Sequence, residues 1–377
     1  MKVTQPLINE SSLTTLLEEK LARLIRQPKY HWPADSVPYQ RDEAGLPLIK
    51  VAMGSCPSDF DLWQDVRGPA TVGNYPATLK DIWDFYVGQV QTHVKWDNDD
   101  YYQFQVPDYG DFPRAAVVSV MLVASADYLE AQAQLLDEGS LGSADDYTTA
   151  WGQLSDLLED AMSRAAMSLY SPSLVSVPMT GPTLSCLQAE IIPASHRGNR
   201  HGPDKGGNWP QKSVAFMTGL GQFGASRLVF RDEVVNGEVE RYFGQIRSMV
   251  LFSQEDNLQG SVELNDPDHR RLLWQLARRE QPADKDSDMQ FCRFGKGCSA
   301  CIVACPSGAL PHSVPRDKTT QKRKAGGWLQ FAAAPCRDFA RHAQVFPGWV
   351  CARCVVACAR RGKTDAPAVE RYWQNRS

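Results

Sequence analysis

The sequence predicts an α+β protein: a mixed α/β core followed by a small cysteine-rich C-terminal domain. Three observations carry that expectation. Residues Ala115–Ser125 (AAVVSVMLVAS) form a continuous valine-rich apolar run, the mark of a strand buried on both faces. Residues 147–169 repeat apolar side chains at helical spacing. Eight of the ten cysteines lie in the last quarter of the chain, in two groups. A chain of 377 residues has room for about two or three domains. The expected division is an N-terminal region at 1–113, the core at 114–279 and the cysteine domain at 280–377.

The first element expected is an amphipathic helix over residues 11–27. Ser11 or Ser12 can cap it, Leu13, Leu16, Leu17, Leu21, Leu24 and Ile25 share one face, and Pro28 stops it. From Pro33 to about Arg114 the pattern is irregular and rich in prolines and aromatics. Within it, Trp96-Asp97-Asn98-Asp99-Asp100-Tyr101-Tyr102 suits either a solvated loop or the mouth of a pocket. The strand at 115–125 opens the core. The helix at 147–169 then turns Leu154, Leu157, Leu158, Ala161, Met162 and Ala165 to one side. Residues 171–212, rich in Pro, Gly, Ser and His, are too long for a plain connection, and such loops usually carry function. Ser213–Met217 is expected to be helical, Arg227–Phe230 is an apolar segment, and Ile246–Phe252 is a further strand after Gly244. The polar linker Glu280–Asp288 carries the boundary to the cysteine domain.

Hydrophobic content of 43% and a formal charge of −4 fit a globular chain with no global pull toward nucleic acid. The start, MKVTQPLINESSL, has neither the apolar region of a signal peptide nor a twin-arginine pair. No export signal is therefore expected, and the expected location is cytoplasmic. No apolar run approaches the length of a membrane span. Cys56 and Cys186, which stand apart from the two cysteine groups, are expected to be buried thiols.

The first cysteine group reads Cys292-x5-Cys298-x2-Cys301-x3-Cys305-Pro306, and the second reads Cys336-x14-Cys351-x2-Cys354-x3-Cys358. Two four-iron cubanes need eight thiolates, and the two groups hold eight. Zinc sites favour paired C-x2-C knuckles, and disulfides suit secreted chains. A C-x3-C-P ending fits a ferredoxin turn better than either. In two-cluster ferredoxins the last cysteine of such a run serves the other cluster. On that crossed rule Cys292, Cys298, Cys301 and Cys358 hold one cluster, and Cys305, Cys336, Cys351 and Cys354 hold the other. The implied work is electron transfer.

Gly219-Leu220-Gly221-Gln222-Phe223-Gly224 matches the G-x-G-x-x-G dinucleotide fingerprint in letters. That fingerprint must follow a strand and open a helix, whereas here a helical segment precedes it. A nicotinamide site is not expected. The glycines instead fit a tight turn where backbone approaches a large flat ligand closely.

Taken in order, these residues resemble the cobalamin-dependent iron–sulfur reductases, a family that includes reductive dehalogenases and epoxyqueuosine reductase. The likeness covers roughly residues 114–360. It comprises the apolar strand followed by Ala126-Asp127-Tyr128, a helix opening with Tyr147, the Thr218–Gly224 turn, a strand carrying Arg247, and the two cysteine groups. The resemblance implies a nitroreductase-like α/β core that holds base-off cobalamin, with a ferredoxin-like domain of two 4Fe-4S clusters against it. Gly219, Leu220, Gly221, Gly224, Asn208 and His201 are the positions it implies for the corrinoid. The dehalogenases are the nearer branch, through Tyr147 in Asp146-Tyr147-Thr148-Thr149 and Arg247 in Gln245-Ile246-Arg247-Ser248. The family's tyrosine donates a proton and its arginine supports that role or binds substrate. Asn208 matches the family's asparagine before the glycine turn, and the acidic residue of epoxyqueuosine reductases has only Asp204 as a loose counterpart. The chain departs from the pattern in three ways. Five residues separate Cys292 from Cys298 where the family has two, Ala359 rather than proline follows Cys358, and the export signal usual in respiratory dehalogenases is missing.

The resemblance implies a reductase that cleaves a carbon–halogen or similar bond of a small organic substrate. A tyrosine donates its proton readily near neutral pH if a neighbouring cation lowers its pKa, the part expected of Arg247. His196 and His201, with Arg197, Arg200 and Asp204, can form a proton relay, a polar wall or corrin contacts, or simply a surface loop. The basic stretch Arg316, Lys318, Lys322, Arg323 and Lys324 is a solvated face, or docks an acidic donor such as ferredoxin or flavodoxin, or a tRNA backbone. Two other functions compete: a tRNA-modifying reductase of the epoxyqueuosine type, and a non-catalytic protein that passes electrons to another protein's corrinoid.

Overall fold

The computed structural model describes residues 6–33, 37–62, 79–83, 94–96, 100–102, 108–137, 144–179, 211–224, 229–271, 298–308, 353–361, 366–367 and 369–370. Its helices are α1 Glu10–Leu24, α2 Leu79–Ile82, α3 Ala126–Asp137, α4 Ala144–Leu169, α5 Gln211–Met217, α6 Ala300–Val303 and α7 Arg353–Arg361. The strands are β1 Ile8–Asn9, β2 Ile49–Pro57, β3 Val94–Trp96, β4 Asp100–Tyr102, β5 Arg114–Val123 and β6 Leu174–Met179. They continue with β7 Gln222–Phe223, β8 Val229–Val235, β9 Glu238–Tyr242, β10 Gly244–Ser253, β11 Leu258–Gln259 and β12 Val262–Glu263.

Helix α1 begins one residue before the expected caps. Asn9 is the N-cap: its side-chain oxygen accepts the Ser12 N–H at 3.0 Å, and the Ser12 hydroxyl accepts the Asn9 N–H at 3.0 Å. Ser12 is thus the reciprocal partner inside a capping box rather than the cap. Leu13, Leu17, Leu21 and Leu24 are buried, with Leu16 and Ile25 partly so. Each buried leucine contributes about 1.5–3 kcal/mol. The helix ends before Pro28, which opens a 3-10 turn through Tyr30.

The central sheet has the order β12-β2-β5-β10-β6, antiparallel except where β12 runs parallel to β2. Its middle strand, β5, is the valine-rich run, and both faces are covered as that run requires. Ala116, Val118, Val120 and Leu122 meet Leu13, Leu17 and Leu21 of α1 and Leu154, Leu157, Leu158 and Ala161 of α4. On the other face, Ala115 and Val117 join Val214, Phe216 and Phe252, and Met121 and Val123 join Ala215, Leu220 and Ile246. Helices therefore lie on both sides of one sheet.

Several elements stand where the sequence offered none. Strand β2 falls in the irregular N-terminal stretch, so the boundary expected at 113/114 lies between two strands of one sheet. At the two ends of the acidic, aromatic Trp96–Tyr102 segment, β3 and β4 pair antiparallel, with Trp96 opposite Asp100. Helix α3 follows β5 directly. Strand β6 lies inside the long 171–212 segment, and Pro178 is tolerated because β6 is an edge of the sheet. Strands β8 and β9 form a hairpin around Asn236 and Gly237, whose φ angles of 53° and 80° are those of a two-residue primed turn.

Candidate functional site

Five of the eight grouped cysteines fall among the described residues: Cys298, Cys301, Cys305, Cys354 and Cys358. Cys301 sits in α6 and is buried together with Ile302. The chain leaves α6 through a turn at Gly308, where φ is 63°, and the Cys305 sulfur lies 3.4 Å from the Ser307 hydroxyl. Cys354 and Cys358 are four apart on α7, which places both sulfurs on one face of that helix. Helix α7 packs against α6, α3 and β9, so Cys301 of the first group and Cys354 and Cys358 of the second lie on neighbouring helices. Val355 and Cys358 enter the apolar cluster of Leu129, Val239 and Phe243, and Arg360 pairs with Glu130 of α3.

The wall receiving Cys358 is the β8–β9 hairpin. Asp232 and Arg241 are direct register partners there, and both side chains are fully buried. Arg241 donates from Nε to Asp232 Oδ1 and from Nη2 to Asp232 Oδ2, each at 2.6 Å. Its Nη1 donates to the Cys358 sulfur at 3.3 Å, and its guanidinium lies 3.9 Å from the Phe230 ring centroid. Burial works against the charge on Arg241. The Asp232 carboxylate outweighs it, with Cys358 adding in the same direction, and the guanidinium stays firmly protonated.

Cys292, Cys336 and Cys351 lie outside the described residues. No disulfide joins any two of the six cysteines that are described. Among the described residues, no three His, Cys, Asp or Glu side chains gather closely enough to hold a metal ion. Cys56, apart from the groups, is fully buried in β2, and burial pushes its thiol up to about 12. Cys186 lies outside the described residues.

The glycine turn is a helix C-cap. Gly219 takes φ 80° after α5, with the Leu220 N–H on the Ala215 carbonyl at 2.8 Å and the Gly219 N–H on the Phe216 carbonyl at 3.1 Å. That pair of bonds is a Schellman motif, and Leu220 and Ala215 share its apolar contact. The segment before the turn is a helix, which agrees with the exclusion of a dinucleotide fingerprint. A Cβ on Gly221 would stand 2.5 Å from the Phe230 carbonyl oxygen. The close approach that Gly221 permits is thus made by the chain's own hairpin. Leu220 is buried among Ala52, Met121, Val123, Val229, Tyr242 and Ile246, and Gly224 is buried too.

Arg247 stands on the opposite face of the sheet from Leu220, beside α4. Its Nε donates to Glu159 Oε1 at 2.6 Å, its Nη1 to the Ile246 carbonyl at 2.8 Å, and its Nη2 to the Ser155 hydroxyl. Tyr147 is in the first turn of α4, and Ser155 lies about 12 Å further along the axis at the rise of an α-helix. The structure therefore brings Arg247 to Ser155 and Glu159. The side chain of Tyr147 lies outside the described residues, as do Asn208, His196, Arg197, Arg200, His201, Asp204 and the basic stretch 316–324. The sequence reading missed Asp232 and Arg241. The Asn236-Gly237 dipeptide was their signal, because a two-residue turn there sets 232 opposite 241.

The chain matches no family model, no curated protein and no solved structure. No helix among the described residues is long and apolar enough to cross a membrane.

Proposed function

We propose that this chain is an iron–sulfur oxidoreductase that passes electrons through two 4Fe-4S clusters to a reduction at its core. One observation carries the proposal: α6 and α7, each bearing cysteines of a different group, pack against one another. Crossed ligation needs that juxtaposition, because Cys358 of the second group serves with Cys298 and Cys301 of the first. Thiolates are the donors that such clusters take. The five described thiols are half-buried or buried, and an N–H donor already points at the Cys358 sulfur. Cys292, Cys298, Cys301 and Cys358 would hold one cluster, and Cys305, Cys336, Cys351 and Cys354 the other. The clusters would supply one-electron transfer at low potential.

The reaction proposed is that of a reductive dehalogenase-like enzyme, cleaving a carbon–halogen or similar bond of a small organic substrate. It rests on the order of the motifs from β5 to Cys358. Tyr147 would donate the proton, with Arg247 orienting groups on α4, and ferredoxin or flavodoxin would supply electrons. The resemblance calls for base-off cobalamin. Of the residues it implies, Leu220 and Gly221 are packed against the chain itself and present no surface to a corrin, so no step is derived through that group.

A second reading is favoured by Arg247. Its guanidinium is engaged by Glu159 and Ser155, as in a structural ion pair. A non-catalytic carrier that reduces another protein's corrinoid needs the clusters but not a proton donor beside a cation. Anaerobic purification with added cobalamin, followed by iron assay and a visible spectrum, separates the readings. About eight irons with bound corrinoid supports the reductase. The same iron without corrinoid supports the carrier, and absence of iron removes both.

A further inference from the structure

The Asp232–Arg241 pair does more than a buried ion pair needs. Two of the guanidinium's donors satisfy both carboxylate oxygens, which already closes the pair. A further donor, Nη1, reaches the sulfur of a residue 117 positions away in the sequence. The geometry is fixed from three sides: the β8–β9 register sets Arg241 opposite Asp232, Phe230 lies under the guanidinium, and α7 packs on β9. The Cys305 sulfur has a neutral hydroxyl beside it at 3.4 Å, from Ser307. On crossed ligation these two sulfurs belong to different clusters.

We propose that Arg241 is a positioning residue for Cys358 and that its N–H bond to the sulfur raises the reduction potential of the cluster that Cys358 ligates. The inference rests on the iron–sulfur reading. A reduced cluster carries more negative charge on its sulfurs than an oxidised one, so an N–H donor aimed at a ligand sulfur favours the reduced form. The site is water-excluded, where such a dipole acts at low dielectric. Asp232 cancels the net charge, so what reaches the sulfur is an oriented donor rather than a bare cation.

The test is the double variant Asp232→Leu/Arg241→Met, which removes the pair without stranding a buried charge. Parent and variant are purified anaerobically, assayed for iron, and titrated potentiometrically with electron paramagnetic resonance resolving the two clusters. Expected are full iron in both proteins, one midpoint lowered by about tenfold in its reduction equilibrium, or about 59 mV for one electron, and the other unmoved. Full iron with both midpoints unmoved overturns the inference and leaves the cluster reading standing. A parent without iron overturns both. If the double variant does not fold, Arg241→Lys keeps a charge for Asp232 but loses the fork, and the same single shift is expected.

Discussion

Asp232 and Arg241 face each other across a two-residue turn, and the ion pair they form is the surface on which Cys358 comes to rest. The pair is fully buried, so its energetics follow from what is left behind when one partner goes. Arg241→Met strands a carboxylate and is expected to cost about 3–5 kcal/mol. The Asp232→Leu/Arg241→Met double variant recovers most of that loss, because both desolvation penalties vanish together. Denaturant unfolding of the three proteins checks it, and equal instability of the single and double variants would count against a paired role.

Removing a ligand tests the cluster assignment directly. Cys301→Ser or Cys354→Ser is expected to lower iron by roughly half or to collapse the cysteine domain, since each sulfur would belong to a different four-cysteine set. Full iron in both variants would reject the assignment.

The strand β5 and the buried face of α4 were legible because their patterns are dense. A ten-residue apolar run can only be covered on both sides, and Leu154, Leu157, Leu158, Ala161, Met162 and Ala165 recur at the helical period. Strand β2 was not legible. Lys50 is there to pair with Glu233, Gly54 leaves room for the Leu264 side chain, and the Ser55 hydroxyl donates to Glu263. Each breaks the apolar pattern for a reason supplied by a distant residue. The Arg241–Cys358 bond was hidden for the same cause, whereas the hairpin that aims Arg241 was written in Asn236-Gly237.

Tyr147 and Arg247 are expected to fail in different ways. Tyr147→Phe should retain iron and fold while slowing single-turnover consumption of halogenated phenols by on the order of 10²–10⁴, the scale of a lost general acid. Arg247→Lys gives up the fork shared by Glu159 and Ser155 and should lower the unfolding free energy by about 1.5–3 kcal/mol. Undiminished turnover in Tyr147→Phe would pass the proton role to His196, His201 or Asp204.

Gly221→Ala places a methyl 2.5 Å from the Phe230 carbonyl oxygen, which is backbone and cannot swing aside. A loss of about 1–3 kcal/mol is expected in the protein free of any corrinoid, measured by thermal unfolding. An unchanged melting temperature would mean that this glycine serves something other than its own hairpin.

Glu233 sits 2.5 Å from both Lys50 Nζ and Arg231 Nε. Burial alone would raise its pKa, but Arg231 and Lys50 prevail and hold it below the usual carboxylate range. A lowered native pKa means that the unfolded chain takes up the proton first. The contribution is therefore complete above the unfolded value of about 4.3 and is lost as pH falls through the native one. Glu233→Gln should flatten that part of the acid limb of the stability–pH curve, and an unchanged slope would exclude the residue as its source.

The position of β5 also dictates when the protein can fold. Its neighbours are β2, upstream at Ile49–Pro57, and β10, far downstream at Gly244–Ser253. During synthesis β2 and β5 can zip together early, but the second edge of β5 stays open until β10 has left the ribosome. An apolar strand with one bare edge is a template for pairing with the wrong chain, and closing so long a loop is slow. The hairpin that receives Cys358 is made just before β10, so its docking surface exists before the cysteine helices are synthesised.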